Sequence, residues 1–287
     1  MAKTAGFDDN IPAVMIGLNE GAALRASGAT TADATTTLQE FITTNKDILA
    51  GFSSQGPTAV DFAVKPDLTS VGVNVLSSIT CVGKGGGCPD DGTGWAFFSG
   101  TSMSTPHIAG SAAVLLDLHS TWSPAQVKSA LVNRADLVIK DAKTGLHDIG
   151  PTAQGTGREN LSVAADGTTW LDPVSASFGK VTVGHPTSFT MTLFNPTGSD
   201  QTFSVSTTMF TPDTFGDTVP SIYDAGTLSA GDSRITVPGS VTVPANGSTT
   251  LTVSVNAAHG DVVQGWINLD GAGSNDLHFA YYAVVGP

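Results

Sequence analysis

The sequence predicts a multidomain chain in which a partial α/β domain is followed by an antiparallel β-sandwich. Three observations carry this expectation. Residues 101–119 and 123–137 read as consecutive helices that follow two strand-like runs. From about residue 168 the helical periodicity stops, and apolar residues alternate with Thr and Ser. That alternation recurs in seven short runs separated by turn residues, as in a sandwich.

Taken in order, Ile11–Leu18 reads as a buried strand, and Asn19 as the N-cap of a short helix stopping near Gly28. One strand and one helix cannot bury a core alone, so this stretch is expected to be the tail of a larger unit. The Ala/Thr-rich run at 29–38 opens a linker placed at 29–45. Ile48–Ser53 and Val71–Ile79 read as strands, with turns at Gly56-Pro57 and Lys65-Pro66-Asp67. Residues 81–94 form a Gly-rich loop. The helix at 101–119 carries small residues from Ala109 to Ala113 and is apolar on most faces, so it is expected to be buried on most faces. The next helix starts with Ser123 as N-cap, Pro124 at the first position and Gln126 at the capping-box position, and runs to about Leu137. The sandwich runs are Val181–Val183, Ser188–Phe194, Gln201–Ser206, Arg234–Val237, Ser240–Val243, Thr249–Val255 and Val262–Leu269.

Composition excludes some function classes. The formal charge of −13 arises from 12 Lys and Arg against 25 Asp and Glu. No basic stripe is available to neutralise phosphates, which argues against nucleic acid and against anionic lipid. No apolar run reaches the roughly 20 residues needed to span a bilayer. Met1–Asp9 lacks the pattern of a signal peptide, which by itself points to the cytoplasm. Cys81 and Cys88 bracket a Gly-rich loop. They read first as a disulfide closing a small ring, then as free thiols. A metal site needs about four ligands, and no His or further Cys lies nearby in sequence.

The chemistry centres on Ser99-Gly100-Thr101-Ser102-Met103-Ser104-Thr105-Pro106-His107-Ile108-Ala109-Gly110. A Ser at the mouth of a helix has its own N–H among the unpaired donors of the first turn, and the helix dipole there favours developing negative charge. Both suit an oxyanion in acyl transfer. Gly100 allows close approach of a peptide backbone, and Pro106 is expected in the first turn, where a missing N–H costs little. The plain alternative is a capped helix with an ordinary Ser.

The whole string resembles the active-site serine signature of subtilisin-like proteases, Gly-Thr-Ser-Met-(Ala/Ser)-x-Pro-His. The flanks are similar too. Phe52–Pro57, Lys65–Leu68 and Gly72–Leu76 resemble the run upstream of that serine, although the family has Ala-Pro where this chain has Ser70-Val71. Trp122–Leu131 resembles the family's next helix, and Gln154–Asn160 its closing Gln-Gly-x-Gly turn. Residues 1–28 resemble the end of a protease-associated insert, 46–167 the C-terminal part of a subtilisin-like catalytic domain, and 168–287 a fibronectin-III-like sandwich.

The resemblance implies a serine endopeptidase with Ser102 as nucleophile and backbone oxyanion donor, and with Gly100 and Thr101 as substrate-binding residues. It implies peptide or protein substrates and an extracellular or cell-envelope parent protein. The family's Asp, His and oxyanion Asn motifs are absent, so the triad is incomplete in this chain. A missing N-terminal catalytic portion is then the expected partner. Candidates for a recruited base are His147, beside Asp148, and His107. His119 lies about 25 Å along the helix from Ser102 at about 1.5 Å per residue. His185, His259 and His278 read as surface residues in or near the sandwich. With a recruited His, the chain would be an ester or acyl hydrolase instead. The third reading is a non-catalytic sandwich acting as a binding or spacer module. No cofactor is required. Calcium is common in the family, but no site is mapped, and Asp90-Asp91 beside Gly92–Gly94 reads equally as a solvated loop. Asn160-Leu-Ser162 and Asn246-Gly-Ser248 fit the glycosylation pattern.

Overall fold

The computed structural model describes residues 18–28, 46–79, 94–213, 225–273 and 275–287. The chain divides into two units, Met1–Thr44 and Asn45–Pro287. In the first, helix α1 spans Leu18–Ala26, and residues 22–28 are exposed. Leu18, expected to end a strand, is the first helical residue, and Asn19 is the second rather than the cap. Leu, Glu and Ala in this run favour continuing the helix. The rest of the Ile11–Leu18 strand and the 29–45 linker lie outside the described residues.

In the second unit, β1 (Val75–Ser78) and β2 (Trp95–Phe98) pair antiparallel, with Val75 opposite Phe98. Then follow α2 (Thr101–Leu118), α3 (Pro124–Asn133), β3 (Asp148–Ile149), α4 (Pro151–Gln154) and α5 (Leu161–Asp166). The sandwich strands are β4 (Trp170–Asp172), β5 (Ala176–Thr182), β6 (Thr187–Asn195), β7 (Gln201–Pro212), β8 (Ala225–Ala230), β9 (Ile235–Thr236), β10 (Ser240–Val243), β11 (Gly247–Val255), β12 (Asp261–Asp270) and β13 (Leu277–Gly286).

One sheet runs β3-β8-β7-β12-β13-β5, with β10 also on β7, and the facing sheet runs β4-β6-β11-β9. The pairs are antiparallel except β13–β5, which is parallel. Between the sheets Leu193, Phe203, Val253, Ile267 and Phe279 are fully buried. Alternation along β6 and β11 places Met191, Leu193, Leu251 and Val253 inward and Thr190 and Thr252 outward.

Five further expectations are corrected. Ile48–Ser53 is not a strand, and Ile48 makes a single bridge to Lys140. The second helix stops at Asn133, four residues before Leu137. There Arg134 leaves the helix and turns its guanidinium inward, donating to the Thr169 carbonyl at 2.8 Å and to Asn275 Oδ1 at 3.0 Å. Helix α2 is buried at Leu115 alone, while Val114, Leu116 and Leu118 are exposed; among the helices and strands described, its main packing partners are α3 and α5, which cover one side of it. Pro106 is the sixth helical residue, not a member of the first turn, so it leaves the Ser102 carbonyl without its i+4 backbone donor. His278 is not a surface residue but partly buried, and its Nε2 donates to the Thr156 carbonyl at 2.7 Å.

The capping box of α3 is present as expected. Gln126 N donates to Ser123 Oγ, and Ser123 N to Gln126 Oε1 at 2.8 Å.

Strand β13 escaped the alternation test because it is buried on both faces. Phe279 and Tyr281 face the sandwich core. Ala280 and Tyr282 form a second core with Val64, Phe210 and Trp266. Val64 belongs to the segment before α2, so the 46–167 region and the sandwich share buried apolar surface. Strand β3 also joins the sandwich sheet by pairing with β8.

Candidate active site

Ser102 is the second residue of α2 and is exposed. Gly100 is the N-cap and no side chain caps the helix, so the first-turn amides are not consumed by a capping group. Among the described residues, neither the Ser102 N–H nor its hydroxyl has a hydrogen-bond partner. An exposed hydroxyl next to an unpaired N–H at the positive end of a helix can attack a carbonyl and hold the developing oxyanion.

The segment before α2 is fastened to Ser70–Asn74. Gly100 N donates to the Gly72 carbonyl at 2.8 Å, and Asn74 N donates to Ser99 Oγ at 2.9 Å. Ser104 Oγ donates to the Ser70 carbonyl at 3.1 Å. A Cβ on Gly72 would collide with Ser104 Oγ and lie 2.8 Å from the Gly100 carbonyl oxygen. Only Gly permits this approach. Sequence reasoning missed this fastening. Its traces are the Ser70-Val71 departure before Gly72 and the hydroxyl at Ser104.

Gly100 thus has its N–H committed to Gly72, while its carbonyl accepts from Met103 N at 2.9 Å. Thr101 is exposed, and its carbonyl accepts from Thr105 Oγ1 at 3.0 Å. Beside them opens a cavity of about 460 Å³, lined in part by Thr101, Ser104, Ile108, Leu68 and Val71. It is also lined by Asp47 and Arg158, which form an ion pair; Arg158 Nη2 also reaches Asp136 Oδ2 at 2.9 Å.

All six histidines of the chain are described, and none hydrogen-bonds Ser102. His107 Nδ1 donates to the Met103 carbonyl at 2.8 Å. His147 Nδ1 pairs with Asp213 Oδ2 at 3.2 Å, at the end of β7. His119 caps the far end of α2, donates to the Ala165 carbonyl at 2.9 Å and stacks on Trp122. The structure therefore brings neither recruited-base candidate to the serine.

Asn160 caps α5 and donates to Asp136 Oδ1 at 3.0 Å. Cys81, Cys88, Asp90 and Asp91 lie outside the described residues. Among the described residues no group of His, Cys, Asp or Glu is placed to hold a metal ion, and no helix is long and apolar enough to cross a membrane.

The Subtilase family model matches residues 16–168, and the Fn3-like domain model matches residues 178–282. The minor extracellular protease Vpr of Bacillus subtilis is 28% identical over 253 residues, covering 86% of this chain and 28% of that protein. The subtilisin-like protease SBT1.6 of Arabidopsis thaliana is 35% identical over 167 residues, covering 54% of this chain and 22% of that protein. SBT3.13 of the same plant is 44% identical over 103 residues, covering 36% of this chain and 12% of that protein. The chain thus spans under a third of the length of each of these relatives.

Proposed function

Because the chain belongs to the subtilase family, we propose that it supplies the nucleophile of a serine endopeptidase acting on peptide or protein substrates. Ser102 Oγ attacks the scissile carbonyl, and its proton passes to a base and then to the leaving amine. Water releases the acyl group and regenerates Ser102. The Ser102 N–H donates to the oxyanion, and Gly100 and Thr101 border the substrate chain. The observation that carries this reading is the exposed Ser102 at the N-terminus of an 18-residue helix, with its N–H unpaired among the described residues.

The base comes from chain outside these 287 residues. Support for this is that none of the six histidines bonds Ser102. Apolar side chains are also exposed on the segments leading to the serine, at Val71, Val73, Leu76, Trp95 and Phe97, and farther along α2 at Leu116. We read these exposed apolar side chains as the face on which that outside chain docks. An extracellular location is carried over from the name of the Bacillus relative.

The test is casein cleavage by the protein translated with its upstream in-frame sequence, against Ser102→Ala. The reading expects activity in the first and a loss of at least about 10³-fold in the second. Full activity in Ser102→Ala would remove Ser102 from the mechanism.

A further inference from the structure

We propose that the β-sandwich positions the Ser102 segment rather than acting as a spacer, and that Trp266 and His278 are the positioning residues. Both grip the turn after α4 from the sandwich side. Trp266 is fully buried on β12, and its Nε1–H donates to the Gly155 carbonyl at 2.9 Å. His278 on β13 donates from Nε2 to the next carbonyl, Thr156, at 2.7 Å. Asn133 Nδ2 donates to the His278 carbonyl and to the Val174 carbonyl, both at 2.9 Å, which holds α3 to the same strand.

The gripped turn passes its position onward through short bonds. Gly155 has φ +62°, and a Cβ there would collide with the Asp67 and Pro66 carbonyls, so the turn lies directly on the chain that leads to the site. Thr156 N donates to the Asp67 carbonyl at 3.0 Å. Thr69 N donates to the Gly157 carbonyl, and Glu159 N donates back to the Thr69 carbonyl, each at 2.8 Å. Ser70 Oγ donates to Glu159 Oε2 at 2.8 Å. Ser70 and Gly72 then hold Ser104 and Gly100 on either side of Ser102. The path from β12 and β13 to the nucleophile is therefore a series of hydrogen bonds joined by backbone stretches of one to three residues.

A spacer would touch its neighbour through a wet, separable contact. Here Trp266, Ala280 and Tyr282 share a buried cluster with Val64. In catalysis the consequence is large, because a shift of about 1 Å at a reacting group costs on the order of 100-fold in rate. That consequence rests on the reading of Ser102 as nucleophile; the positioning itself does not.

Amide hydrogen exchange of the 287-residue chain tests the positioning without any activity. Trp266→Phe removes the indole donor and keeps an aromatic ring. His278→Leu removes the imidazole donor, and His278→Gln retains a donor. The expected result is exchange on the order of ten-fold faster at Thr69, Asn74, Gly100 and Glu159 in Trp266→Phe and His278→Leu, with β6 and β11 unchanged. His278→Gln should return those amides toward the parent rate. Unchanged exchange at the four amides overturns the proposal. So does an equal acceleration in β6 and β11, which would report loosening of the whole sandwich. Equal acceleration in His278→Leu and His278→Gln overturns the role of the donated bond. Survival of peptidase activity in Ser102→Ala would instead sink the nucleophile assignment and leave the exchange result standing.

Discussion

Ser104 Oγ donates to the Ser70 carbonyl at 3.1 Å, two residues beyond Ser102 on α2 and two residues before Gly72. The bond closes a small frame around the nucleophile with the Gly100–Gly72 bond. Its removal in Ser104→Ala is expected to cost about 1 kcal/mol of stability, the net worth of a single hydrogen bond. Gly72→Ala should cost more, about 2 kcal/mol, because its Cβ meets the Gly100 backbone, which cannot swing away like a side chain. Urea unfolding of the two variants beside the parent chain checks the order. A Gly72→Ala variant as stable as the parent would refute the steric reading of this contact.

The pH dependence of stability follows from His278. Desolvation lowers its pKa below the ordinary 6.5, outweighing the Thr156 carbonyl bond and the Asp136 charge, which pull the other way. In the window below 6.5 the unfolded chain therefore binds the proton more readily than the folded chain. This contribution is whole above the unfolded pKa and is lost as pH falls toward the folded value. The urea midpoint should drop as pH falls through and below 6.5, and His278→Gln should flatten part of that drop. Asp141 does not interfere in this range: burial raises its pKa, but bonds from Thr144, His147 and Leu146 outweigh that and hold it at about 2. An identical pH profile in the parent and in His278→Gln would contradict the assignment.

Buried Tyr281 donates its hydroxyl to Asp232 Oδ2 at 2.8 Å, and Arg234 Nε donates to Asp232 Oδ1 at 2.8 Å. Burial, with the Asp232 charge beside it, pushes the Tyr281 phenol far above its usual value, so it stays a donor throughout the working range. Tyr281→Phe leaves the carboxylate with one bond fewer and should cost about 1.5–3 kcal/mol, the range for hydrogen bonds to a charged group. Thermal unfolding reads this directly, and an unshifted midpoint would show the network to be dispensable.

The exposed residues Leu116 and Phe97 make a different prediction. In the 287-residue chain Leu116→Lys and Phe97→Ser should change stability by less than about 0.5 kcal/mol, as surface substitutions do. In the protein carrying its upstream in-frame sequence, the same changes should lower casein cleavage markedly, since they would sit in a packed contact. Loss of stability in the short chain, or full activity in the longer one, would argue against a docking face there.

Much of this was legible in the sequence, and the reasons for the exceptions are physical. The Ser123–Gln126 cap and the Thr-alternating strands β6, β10 and β11 are local patterns, so periodicity and capping chemistry found them. Strand β13 was invisible because two different cores cover its two faces, which erases alternation. Helix α2 misled in the opposite sense. Its apolar faces read as buried, yet the described residues leave Leu116 and Leu118 uncovered. The Ser102 motif was plain from spacing, whereas its fastening to Ser70 and Gly72 joins residues about thirty positions apart and has no local signature. His278 looked like a surface residue because nothing adjacent in sequence reveals that Thr156 lies over it.

The central claim is that Ser102 is the nucleophile and that its base lies outside this chain. The most direct measurement is the rate of fluorophosphonate labelling, mapped to the residue by mass spectrometry. It is made on the 287-residue chain and on the protein carrying its upstream in-frame sequence. The account predicts labelling at Ser102 in the longer protein and labelling at least about 100-fold slower in the 287-residue chain, since a serine without an oriented base is a weak nucleophile. Equal rates in the two proteins, or labelling at another residue, would contradict it.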